Sequence, residues 1–185
     1  MRKVAVIFPG VGYTKDRPLL YYAGKQAIKA GYELLHVDFS GIKWSKEELK
    51  DRDFLLRTLD RCLKMTEEAL DKAGDLHQAD VVFISKSIGT VVATAYAGKK
   101  NIKAKQICFS PLEMIEEFID EEGGILFYGN NDPYADYRDI ERIAKSRKLK
   151  TYCVDGGNHS LETGDFCTDA DNLKDMIMYV SEILG

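Results

Sequence analysis

Val81-Val82-Phe83-Ile84-Ser85-Lys86-Ser87-Ile88-Gly89 is the stretch from which the rest of this chain can be read. Four apolar residues in a row, three of them β-branched, mark a strand covered on both faces. From Ile88 the sequence becomes helix-like, and the small residues Ser85, Ser87 and Gly89 allow a sharp turn between the two elements. Strand, tight turn and helix with a serine at the apex is the geometry of a nucleophile elbow, here with Ser85 in place of the first glycine of G-x-S-x-G. Such a turn lifts the Ser87 hydroxyl over the carboxyl edge of the sheet. It also sets it beside helix N–H groups that lack intrahelical acceptors and lie at the positive end of the helix dipole. A serine that merely caps a helix gives the same local pattern, so its partners must decide.

Outward from this stretch, short apolar runs alternate with longer segments of helical period, the signature of βαβ units around a parallel sheet. Strands are expected at residues 3–8, 33–38, 81–85, 106–110, 125–128 and 150–154. Helices are expected at 18–30, 46–73, 88–98, 111–120, 136–147 and 168–184. The strand runs are apolar throughout rather than alternating, so helices should cover both faces. The fold class is α/β: a three-layer αβα sandwich on a six-stranded parallel sheet. Gly31 and Gly74 close the first two helices. Cys108 and Cys153 fall in strand runs and should behave as small buried hydrophobes.

In an open parallel sheet, ligands gather where loops leave the carboxyl ends of the strands. Asp132 lies in Gly129-Asn130-Asn131-Asp132-Pro133-Tyr134, directly after the run Ile125-Leu126-Phe127-Tyr128. His159 lies in Asp155-Gly156-Gly157-Asn158-His159-Ser160, after Tyr152-Cys153-Val154. Both loops leave the same edge as Ser87, and the chain order Ser, Asp, His is that of α/β-hydrolase triads. His36, within a strand, and His77, just before one, read as structural or surface residues. Asp155 also ends a strand, but its nearness to His159 in sequence suits it to capping the loop.

A chain of 185 residues is one domain's worth and buries a core without cross-links. Forty-five per cent apolar and thirty per cent charged residues are ordinary for a globular protein, and a net charge of −4 argues against partners that need bulk positive charge, nucleic acid and membrane surfaces included. The four cysteines show no CxxC spacing, and nothing about them suggests a disulfide framework or a zinc site. The loop Pro9-Gly10-Val11-Gly12 lacks the third glycine and the Lys-Ser/Thr ending of a nucleotide-binding loop. No stretch is long enough to span a bilayer and the apolar run after Met1-Arg2-Lys3 is too short for a signal-peptide core. The expectation is a cytoplasmic protein with no cofactor and no metal.

These motifs make the chain resemble the α/β-hydrolase superfamily, especially its small, capless esterases of the dienelactone-hydrolase-like kind. Phe8-Pro9-Gly10-Val11-Gly12-Tyr13 is similar to the family's oxyanion loop, with Pro9 where a histidine is common. Val37-Asp38-Phe39-Ser40-Gly41 is similar to its Asp-x-x-Gly turn, and the Asp132 and His159 loops to its acid and histidine loops. The resemblance implies a single domain over residues 1–185 without a cap, an open site and sheet order 2-1-3-4-5-6. With the oxyanion-loop strand starting at Lys3, the resemblance is to a minimal version of the fold, expected to lack the antiparallel strands that usually open it. It further implies a serine hydrolase acting on a small ester or thioester. Ser87 would be the nucleophile, His159 the base, Asp132 its orienting acid, and the N–H groups of Val11 and Ile88 the oxyanion hole. Gly10, Gly12, Tyr13, Lys86 and Tyr134 are the candidates to bind a small-molecule, ester-like substrate. By their place in or near the carboxyl-edge loops, Tyr13, Lys15, Arg17, Trp44, Lys86 and Tyr134 form either an aromatic wall and cationic rim for an anionic acyl group or, for the lysines and the arginine, ordinary solvent-facing surface. An amide or peptide hydrolase with the same three residues, and a silent binding protein on the same fold, are the alternatives. Nothing in the sequence sets an oligomeric state.

Overall fold

The computed structural model describes residues 1–10, 12–42, 51–121 and 123–185. Its centre is β3, Ala79–Lys86, which pairs in parallel with β1, Arg2–Phe8, on one side and β4, Ala104–Phe109, on the other. β2, Glu33–His36, extends the sheet beyond β1, while β5, Gly124–Gly129, and β6, Lys150–Val154, extend it beyond β4. All six strands are parallel, in the order β2-β1-β3-β4-β5-β6.

Side chains alternate across the pleat, and this divides the core in two. Val4, Val6, Phe8, Val81 and Phe83 face a layer formed by α2, Arg52–Leu70, α3, Ile88–Lys100, and α4, Tyr137–Ser146. Ala5, Ile7, Val82, Ile84, Ile107 and Phe127 face α1, Pro18–Lys29, and α5, Phe166–Leu184. The three layers follow from strands that are apolar on both faces. Pro18 opens α1 with its fixed φ, and the carboxylates of Asp51, Asp136 and Asp165 cap α2, α4 and α5 by accepting from first-turn N–H groups. Among the described residues no helix is long and apolar enough to cross a membrane.

Three expectations need correction. The segment after β4 forms only a five-residue 3₁₀ turn, Glu113–Glu117, instead of a helix over 111–120. Leu112, Met114, Ile115 and Ile119 are all buried there. On a regular α-helix Met114 would face away from the other three, so a tighter, irregular path buries them together. Cys153 is exposed, because β6 is an edge strand with only Val154 fully covered. β2, the opposite edge, is likewise only half covered, so burial on both faces belongs to the four central strands. The expected helix over 46–73 is described from Arg52 onward, and residues 46–50 lie outside the described residues.

Phe83 is fully buried, its ring 5.0 Å from that of Phe8 and 6.2 Å from that of Tyr96. Phe83→Ala should lower the unfolding free energy by about 3–5 kcal/mol in urea titrations. Phe166→Ala, at a side chain that is 91 % exposed, should change it by no more than about 0.5 kcal/mol.

Candidate active site

β3 ends at Lys86, and the chain then turns through Ser87 with φ 56° and ψ −127°, a conformation that side-chain-bearing residues rarely adopt. Holding it costs on the order of 1–3 kcal/mol. The surroundings impose it: the Ser87 N–H extends the ladder to the Phe109 carbonyl at 3.0 Å, and the Ser87 carbonyl accepts from Thr90 N–H at 2.9 Å and Thr90 Oγ1 at 2.6 Å, starting α3. Gly89 is required next, because a Cβ there would collide with the Phe8 carbonyl oxygen, and α3 could not start against the end of β1. Ser85, buried under the turn, donates to the Ile107 carbonyl at 3.2 Å.

Asp132 and His159 are brought together by two loops laced to each other. Asn130 N–H donates to the Val154 carbonyl at 3.3 Å and Asn131 N–H to the Gly157 carbonyl at 3.0 Å. The Asn130 side chain donates to Asp155 at 2.7 Å and accepts from Gly156 N–H at 2.7 Å. The loops press so closely that a Cβ at Gly129 would run into the Gly157 carbonyl. Asp155 thus fastens the loop instead of facing Ser87.

The result is a continuous row. Asp132 Oδ2 lies 2.7 Å from His159 Nδ1, and His159 Nε2 lies 2.8 Å from Ser87 Oγ. A carboxylate only accepts, so the ring proton belongs on Nδ1 and Nε2 accepts from the serine hydroxyl. The second Asp132 oxygen accepts from Tyr134 N–H at 2.8 Å, and the Tyr134 ring meets the His159 ring edge-on at 4.8 Å. Burial holds the imidazole below its ordinary 6.5, with the Asp132 hydrogen bond acting against the shift and the nearby Lys86 charge adding to it. At neutral pH His159 is therefore a free base.

The other expected site residues divide. Ile88 N–H, at the first position of α3, is one of the helix donors without an intrahelical acceptor. Val11 lies outside the described residues, as does Trp44. Gly10 lies against the Ser87 side chain, and Gly10 and Tyr13 exchange backbone hydrogen bonds that close the loop with Gly12 at its tip. Tyr13 is turned to structure: its hydroxyl accepts from Leu19 N–H at 3.2 Å at the start of α1, and burial pushes its pKa up to about 12.

Lys86 is no cationic rim. It is 1 % exposed, and its Nζ donates to the His159 carbonyl at 2.6 Å, because alternation along β3 turns it under the histidine loop, away from the side where Ser87 emerges. Ser110 Oγ donates to the same carbonyl at 2.9 Å. Ser110 was missed in the sequence because nothing about a serine at a strand end signals a partner 49 residues away. The expectation of an open site also needs revision at the nucleophile, since Ser87 is 2 % exposed beneath the His159 ring and Gly10.

Two hollows lie near the row, the first reaching it at Asp132 and neither lined by Ser87 or His159. A cleft of about 760 Å³ reaches Asp132 and Tyr134 and is bounded by Arg52, Leu112, Glu113 and Arg138. A second, of about 420 Å³, reaches Gly10 and Gly12 and contains His36 and Asp38. Among the described residues no group of three or more His, Cys, Asp or Glu side chains stands where it would hold a metal ion.

No protein-family model matches the chain, and no curated protein matches it in sequence. Solved structures do match. Est1E from Butyrivibrio proteoclasticus, with ferulic acid bound, superposes with a TM-score of 0.71 at 17% identity over 97% of this chain and 87% of its own. An alpha-beta serine hydrolase homologue from Coxiella burnetii gives 0.62 at 12% identity over 100% and 85%. The esterase domain of a Rhodothermus marinus protein gives 0.59 at 13% identity over 99% and 88%. Nearly every described element therefore has a counterpart in these proteins, and the chain has the α/β-hydrolase fold.

Proposed function

We propose that this protein is a serine hydrolase that cleaves a small carboxylic ester or thioester through an acyl-enzyme on Ser87. The observation that carries the reading is the row Ser87–His159–Asp132, with links of 2.8 and 2.7 Å and the serine on a strained turn at the carboxyl edge of a parallel sheet. Three residues separated by 45 and 27 positions in the chain have no structural need to meet in this order.

In the first half-reaction Ser87 Oγ attacks the carbonyl carbon while His159 Nε2 takes its proton, and the same nitrogen then delivers that proton to the leaving oxygen or sulfur. Asp132 holds the Nδ1–H tautomer and stabilises the imidazolium formed in passing. The Ile88 N–H points the helix dipole at the developing oxyanion, and one such donor contributes on the order of a hundredfold or more. Water repeats the sequence on the acyl-enzyme and releases a carboxylic acid. Ferulic acid, the molecule bound to Est1E, is a product of that chemical class. The hollows beside Asp132 and beside Gly10 are the candidate spaces for the acyl and leaving groups.

A fluorophosphonate probe should label wild-type protein on Ser87, with labelling lost in Ser87→Ala and sharply reduced in His159→Ala. Peptide mapping by mass spectrometry locates the label, and failure of folded wild type to react would turn the reading toward a silent binding protein. Asp132→Asn should lower kcat on p-nitrophenyl acetate by roughly 10³–10⁴-fold. Because burial holds His159 below its ordinary range, the acid limb of kcat/KM should lie at lower pH than an unperturbed imidazole would give, with activity falling as the base is protonated. Parallel rates on matched ester, thioester and amide substrates decide the leaving group.

A further inference from the structure

Among the described residues Lys86 is the only one of a charged type that is buried, and the hydrolytic reading leaves it without a task. Lys86 occupies the position before the nucleophile, is 1 % exposed, and directs its ammonium at the His159 backbone carbonyl at 2.6 Å. Among the described residues no carboxylate lies within ion-pair distance of it. The Tyr13 ring lies beside it, with Nζ 5.2 Å from the centroid. A charge held this deep without a paired carboxylate is expensive, and an unbranched apolar side chain of similar length would fill the same space at lower cost. Packing and stability therefore do not account for a lysine here.

The accepting atom does account for it. His159 sits in a loop whose first residues are tied at Gly157 to Asn131 and the end of β6, while beyond them Leu161 N–H to the Asn158 carbonyl at 2.8 Å and Asn158 N–H to the Glu162 carbonyl at 3.0 Å shape the turn around the histidine without reaching the sheet. The His159 carbonyl is anchored from below by Lys86 at the end of β3 and by Ser110 at the end of β4, the latter in a positive-φ conformation at 43°. We propose that Lys86 is a positioning residue for His159: with Ser110 it clamps the His159 carbonyl and thereby sets the imidazole at hydrogen-bonding distance from both Ser87 and Asp132. The inference rests on the reading of those three residues as a triad.

The clamp also carries charge. The charged and titratable groups that face Lys86 are Asp132 from the loop after β5, His159 and Glu162 from the loop after β6, and Tyr13 from the loop after β1. Burial pushes the ammonium down to about 7, while Asp132 and Glu162 act in the opposite direction. While protonated, Lys86 disfavours a second positive charge on the nearby imidazole, so it helps keep His159 a free base. Ser110 supplies the same hydrogen bond without the charge, which makes the pair separable.

The test compares wild type, Lys86→Met and Ser110→Ala by thermal melting, by kcat and KM on p-nitrophenyl acetate across pH, and by NMR titration of the His159 ring. Lys86→Met should melt at or above wild type while kcat falls on the order of ten- to a hundredfold with little change in KM. Its His159 titration and the acid limb of kcat/KM should both move to higher pH. Ser110→Ala should slow turnover without moving either. Between pH 7 and 8.5 wild type should gain stability relative to Lys86→Met, because the unfolded chain keeps a proton on Lys86 that the folded chain has released; below pH 7 both hold it and the difference is flat.

Wild-type turnover and an unmoved His159 titration in Lys86→Met would overturn the proposal. So would a Lys86→Met protein that fails to fold or loses activity only in proportion to its unfolded fraction, since that assigns the lysine to the core. If wild type does not react with the fluorophosphonate, the hydrolytic reading fails instead, and the NMR titration, which needs no turnover, still reports on the link between Lys86 and His159.

Discussion

Parallel pairing of β3, β4, β5 and β6 is the constraint on which everything at the carboxyl edge depends. In a parallel sheet all strands deliver their ends to one side, so Ser87, Ser110, Asp132 and His159 emerge as neighbours from four different strand ends. The ladders continue past the strands, through Ser87 N–H to the Phe109 carbonyl and Ser110 N–H to the Phe127 carbonyl. This sets the height of each loop relative to the next. A slip of one residue in β3 would exchange Ser85 and Lys86 between the two faces, removing both the elbow and the clamp beneath the histidine loop.

That edge is also where the chain gives up stability that the core supplies. Ser87, Ser110 and Leu161 all hold positive φ without being glycine, and Ser85, Lys86, Ser87 and Ser110 are buried polar residues at one end of an otherwise apolar sheet. Each of the four finds a hydrogen-bond partner among strand ends and loops, which keeps the desolvation cost bounded. Strain and buried polarity concentrated in one place, on a scaffold whose central strands are almost wholly apolar, are the pattern of a site held in a prescribed geometry.

All six strands, the helices other than the one expected over 111–120, and the three residues of the row were legible from local signals. β3 and α3 stood out because an apolar β-branched run meets a small-residue turn, and Asp132 and His159 because each follows such a run. The misreadings came from side chains whose fate is decided elsewhere. Lys86 looks like a solvent-facing cation beside a pocket, yet the pleat turns it under a loop 73 positions further along the chain. Cys153 looks like core, yet β6 has no neighbour on one side. Residues 111–120 have the length and apolar content of a helix, yet the surface they cover needs four inward side chains from a short path.

What the sequence determined by itself was the period of each segment and the order of chemistry along it. Strand and helix patterns, turn glycines and the order Ser, Asp, His are local properties, encoded within windows of a few residues. What only the tertiary structure decided was which groups share a hydrogen bond or a burial: the 2.7 and 2.8 Å links of the row, the two donors on the His159 carbonyl, and the direction in which burial and neighbouring charge move Lys86 and His159. Such distances and dielectric effects belong to pairs of groups far apart in the chain, and they come into being only when the parallel sheet stacks the strand ends side by side.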